Sequence, residues 1–159
     1  MDLKEYCLSS NKDDLFRLAI KLCERSIPIW DKYASTNKLA YRDTVVGMYH
    51  EVRPQLLRDA ILYCHKKTLN HSLGKLSLKD LLNEFSDPIV SLEDLDWELP
   101  YPVERIFYAV HNLLEGIQKP ITIFNESCQY VSINQAVDAL QESGLMDMVQ
   151  IRNTIYGNN

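Results

Sequence analysis

Apolar residues recur three and four positions apart through most of this chain, and that spacing commits it to helices more firmly than any other feature. After Ser10, Asp13 and Asp14 occupy a first turn, where a capping motif and the helix dipole both favour acids. Leu15, Leu18, Ala19, Leu22, Cys23, Ser26, Ile27 and Trp30 then form one apolar stripe. Pro28 falls inside the stripe and is expected to kink that helix or end its first part, because its ring removes a backbone donor and crowds the preceding turn. A second helix is predicted from about Leu39 to Val52, with Val45, Met48, Tyr49 and Val52 on one face. Pro54 suits the first turn of a third helix, which carries Leu57, Ala60, Ile61 and Cys64 and ends in Lys66 and Lys67. Ser77 and Asp80 cap a short fourth helix through Leu78, Leu81, Leu82 and Phe85.

Pro88, Pro100 and Pro102 then deny a regular helix to SDPIVSLEDLDWELPYPVE. Residues 86–101 are therefore read as a long acidic connection, and loops of that length are often functional. Pro102 starts a fifth helix with Ile106, Phe107, Val110, Leu113, Leu114 and Ile117 on its apolar face, stopped by Lys119-Pro120. Residues 121–124, ITIF, are the one strand candidate. Ser132 or Asn134 opens a sixth helix closed by Gly144, and Met146, Met148, Val149, Ile151 and Ile155 mark a terminal seventh. The expected architecture is all-α: a single domain over residues 1–159, built as a bundle of about six to seven helices.

Several classes of function fall away. No apolar stretch approaches the roughly 18 residues of a membrane span. The opening MDLKEYCLSSNKDD lacks the basic and apolar regions of a secretory signal. A soluble, cytoplasmic protein with no membrane partner is expected. Cys7, Cys23, Cys64 and Cys128 are scattered, without a CxxC pair, which suits a reducing compartment. Cys23 and Cys64 lie on apolar faces as small core residues. His50-Glu51 is the best local acid/base pair, but adjacent helix positions do not share a face. His65 and His71 are six apart, which does not converge two ligands on a helix, and His111 sits between apolar positions. Neither a metal nor another cofactor is implied. Nucleophile-elbow, phosphate-loop and dinucleotide motifs are absent, and five glycines leave little for a phosphate cradle, so no enzyme is expected. With a net charge of −5, nucleic acid is not an expected partner.

Charge distribution says more than composition. Residues 1–79 hold 14 Lys/Arg against 9 Asp/Glu, whereas residues 80–159 hold 3 against 13. Such a split suggests a charged contact surface, unless folding mixes the two halves. The acids concentrate between Asp80 and Glu104, where eight stand without a Lys or Arg and Trp97 and Tyr101 stand among them. Acids attract a basic partner and raise its on-rate, and Trp and Tyr are common binding anchors. The candidate partner-binding residues are Asp87, Glu93, Asp94, Asp96, Trp97, Glu98, Tyr101 and Glu104. The competing reading is that Trp97 and the neighbouring leucines pin this segment onto the bundle while the acids keep it soluble.

LFRLAIKLCERSIPIWDKYAS (residues 15–35) resembles the opening helix of small all-helical immunity proteins from bacterial polymorphic-toxin and contact-dependent inhibition systems. RDAILYCHKK (58–67) and YPVERIFYAVHNLLEGI (101–117) are similar to later helices of that group in order and length. The chain departs from it at Tyr63-Cys64, where a tryptophan-bearing stretch is expected, and at Ile106-Phe107-Tyr108, where the helix tends to be alanine-rich. The resemblance implies an antitoxin that neutralises a cognate toxin by occluding a basic active site, as a nuclease's must be to hold phosphates. A helical interaction module of a regulatory assembly is the alternative, and a homodimer is open in either case.

Overall fold

A computed structural model describes residues 2–43, 45–119 and 126–157. Seven helices stand among them: α1 (Leu3–Ser9), α2 (Lys12–Thr36), α3 (Leu56–Thr68), α4 (Leu78–Glu93), α5 (Tyr101–Gln118), α6 (Cys128–Ser143) and α7 (Met148–Tyr156). Two three-residue strands, β1 (Ala40–Arg42) and β2 (Tyr49–Glu51), form an antiparallel hairpin between α2 and α3. The helical bundle expected from the apolar spacing is thus the observed fold, with one small sheet added.

The core lies where α2, α5 and α6 meet. Helix α5 is central because its apolar residues encircle more than one face: Val103, Ile106, Phe107, Val110, Leu113 and Leu114 are all buried. Small residues set the spacing to α6. A Cβ on Gly116 would come within 3.1 Å of the Cys128 Cβ, and Ala109, Ala136 and Ala139 are fully buried nearby in the same core. Buried hydroxyls are satisfied rather than orphaned: Ser132 Oγ donates to the Ala109 carbonyl at 2.7 Å and Ser26 Oγ to that of Leu22 at 2.7 Å. Trp30 fills the base of the core and donates its indole N–H to the Pro54 carbonyl at 2.9 Å.

Caps fix several boundaries as expected. Ser77 accepts from the Asp80 N–H to start α4, and Gly144 closes α6 in the left-handed region at φ +74°. Five expectations are corrected or narrowed. Of the two outcomes expected at Pro28, a kink or an end, the end is excluded, because α2 runs on to Thr36. Leu39 to Val52 is no helix but the hairpin with its flanks. Residues 86–101 are not one connection: α4 continues through Pro88 to Glu93, and only residues 94–100 remain irregular. Pro88 stays helical because it is buried in register with Leu81, Phe85 and Leu92, so packing offsets the lost donor. Helix α6 starts earlier than Ser132, on a Ser127 cap, and α1 precedes the first helix read from the sequence. The ITIF strand candidate lies outside the described residues.

Candidate protein-binding surface

The segment Glu93–Glu98 closes α4 and turns back along it. The N–H groups of Asp96 and Trp97 both donate to the Ser91 carbonyl, at 2.8 and 3.2 Å, and Leu95 takes a left-handed φ of +60° to make the turn. The Ser91 hydroxyl reaches across to the Arg42 carbonyl at 2.6 Å, tying the end of α4 to β1. This fold-back drives one side chain inward and throws its neighbours out.

The inward one is Trp97. At 6% exposed, with its ring 5.5 Å from Phe107 and 6.0 Å from Tyr41, it is a core residue. The expectation that Trp97 anchors a partner is therefore corrected: it pins the acidic turn onto the bundle and is covered by it. Leu99 is buried beside it in sequence, while Leu95 is 75% exposed.

The acids stand outward. Asp87, Glu93, Asp94, Asp96 and Glu98 are exposed, and none of their carboxylates makes a hydrogen bond or ion pair among the described residues. Some acids elsewhere are matched: Glu84 and Asp59 share Arg53, Asp31 meets Arg58, and Asp138 meets Arg105. Of the ion pairs to Lys or Arg among the described residues, Arg53–Glu84 alone joins the basic first half to the acidic second. Folding leaves the turn's charges uncompensated. Glu104 is half-buried on α5; together with Glu93, after burial itself, it pushes the Tyr108 hydroxyl up to about 12. Tyr101 is 52% exposed but faces α6, donating its hydroxyl to the Asp138 carboxylate, with the Arg105 guanidinium 5.7 Å from its ring.

Beside this turn stands the hairpin. Tyr41 on β1 packs inward against Trp97, and Asp87 is near enough to raise the Tyr41 pKa, after burial. At the tip, Val45, Val46, Met48 and Tyr49 are all exposed, between 60% and 89%. The helical spacing of Val45, Met48 and Tyr49 pointed to a buried face, so the sequence did not mark them as surface residues. Asp43 followed by Gly47 carried the turn signal that could have found them.

The histidine candidates do not converge. His50 on β2 sits 3.4 Å from Asp43, and His65 on α3 sits 3.4 Å from Glu24 of α2. His71 is exposed beyond α3, and no group of three or more ligating side chains stands together among the described residues. His111 lines a groove of about 980 Å³ between α4 and α5, 3.8 Å from Glu115 one turn along, and burial lowers its pKa. Among the described residues no helix is long and apolar enough to cross a membrane. No protein-family model matches the chain, and comparisons with curated proteins and with solved structures found no match.

Proposed function

We propose that this chain is an immunity-type protein that neutralises a basic toxin domain, a nuclease fitting best, by binding over its active site. The observation that carries the reading is the set of five exposed acids from Asp87 to Glu98 whose carboxylates meet no cation among the described residues, carried by the end of α4 and the turn that Trp97 and Ser91 fasten. Like charges held close repel one another, so a cationic surface that approaches them is drawn in and relieves that repulsion. A nuclease active site offers such a surface, since it must attract phosphates. The resemblance of residues 15–35, 58–67 and 101–117 to helical immunity proteins points the same way.

Co-expression tests it. The polypeptide encoded immediately upstream should arrest growth when produced alone and lose that effect when this chain is produced with it. A toxic neighbour that this chain does not neutralise, or a harmless neighbour, overturns the reading in favour of an interaction module of another assembly.

A further inference from the structure

We infer that the tip of the hairpin is the apolar anchor of this docking surface, and that its occupant is a basic protein surface carrying an apolar recess. The inference rests on the chain being a binding protein, and holds whether or not the partner is a toxin.

Four large apolar side chains in five consecutive positions are held in water: Val45 is 89% exposed, Val46 65%, Met48 60% and Tyr49 74%. Single exposed apolar residues are ordinary, but a contiguous group on one projection marks an interaction site. The tip is built to hold its shape. One Asp43 carboxylate oxygen accepts the N–H groups of Val45 and Val46, at 2.7 and 3.2 Å, and the Asp43 carbonyl accepts from Gly47 at 2.9 Å. Gly47 closes the turn at φ +74°, which side-chain-bearing residues rarely adopt. A pre-ordered projection loses little entropy on docking.

Among the described residues the hairpin is fastened through β1. Tyr41 packs on Trp97, and Ser91 takes the outward carbonyl of Arg42, so β1 is bound to the bundle. The sheet has two strands, so among the described residues the outer edge of β2 is unpaired. Charge complementarity selects the occupant. The turn through which the hairpin is fastened exposes Asp94, Asp96 and Glu98, with Leu95 75% exposed between them, whereas the hairpin itself carries the exposed Arg42 beside Gly47. An apolar tip with one cation, fastened to a turn that exposes three acids, fits a recess edged chiefly by Lys and Arg.

A displayed library of short random peptides, selected on the full chain, supplies a probe without the natural partner in hand. Enriched sequences should set Lys or Arg beside an aromatic or aliphatic residue. Binding of the enriched synthetic peptide should weaken by about tenfold or more in the double variant Val46→Ser/Met48→Ser, chiefly through faster dissociation. Asp94→Asn/Asp96→Asn/Glu98→Gln should instead slow association and flatten its salt dependence. The exposed apolar pair on α7 serves as control, and Met148→Ser/Val149→Ser should leave binding unchanged. Thermal melts of each variant confirm that the bundle is intact. The inference is overturned if the hairpin variant binds like the parent, or if selection yields no enrichment or only neutral and acidic sequences. A neighbour that proves harmless sinks the immunity reading and leaves this result standing, so the two failures are distinguishable.

Discussion

The Trp97→Ala variant removes an indole that is 6% exposed and packed against Phe107 at 5.5 Å and Tyr41 at 6.0 Å. Truncating a buried aromatic to alanine costs about 3–5 kcal/mol, from lost transfer energy and the cavity left behind. The neighbours have little freedom to collapse into the gap, because Phe107 is also packed by Phe85 and Trp30. At this chain length each kcal/mol moves the melting temperature by roughly 2–4 °C, so a fall of about 6–20 °C is expected. The loss should also be regional. Trp97 fastens both the acidic turn and β1, so amide protection in the 40–51 and 91–99 segments should drop further than in α5 and α6. Thermal melts by circular dichroism and amide exchange measure the two effects. A variant that melts within about 2 °C of the parent contradicts the core placement and returns Trp97 to the surface.

Other consequences are simpler. Backbone N–H groups of Val45 and Val46, then His50, hold the Asp43 carboxyl below the usual carboxylate range. A depressed folded-state pKa gives stability that is present above the unfolded value and lost as pH falls through the lowered one. The Val45 and Val46 amide shifts should therefore titrate with a midpoint below that of an ordinary aspartate, and a midpoint at or above it refutes the capped turn. Gly47→Ala should destabilise the hairpin by about 1–2 kcal/mol, since it forces a side chain to φ +74° and brings its Cβ within 3.1 Å of the Arg42 Nη2; unchanged hairpin exchange contradicts this. Burial pushes the Cys23 thiol up to about 12 and the Cys7 thiol to about 11, and raises Cys64 and Cys128. A thiol reagent should react slowly with the native protein and with all four cysteines once it is unfolded; one fast native thiol would show a breach in the core.

The long amphipathic elements were legible because their spacing is unambiguous: α2, α3 and α5 follow their predicted stripes, and Ser77 and Gly144 mark real caps. Two segments misled for opposite reasons. Val45, Met48, Tyr49 and Val52 fit a helical face, yet Asp43, whose carboxylate accepts the Val45 and Val46 N–H groups, and Gly47 favour a turn, and the turn chemistry prevailed. Pro88 argued for a loop, yet Leu81, Phe85 and Leu92 kept the helical period around it, and packing prevailed over propensity. The acids of the candidate site were readable directly, because charge lies in the sequence. The direction of Trp97 was not, since a Trp among acids suits an anchor or a pin equally well until the Ser91 fold-back is known.

The footprint of a partner on this chain tests most directly the claim that one face, the acidic turn with its hairpin, is where binding occurs. Amide exchange measured with and without the polypeptide encoded immediately upstream should show added protection at residues 42–51 and 92–98, with little change in α7. Protection confined to α1, α6 or α7, with the hairpin and turn exchanging as in the free protein, would contradict it.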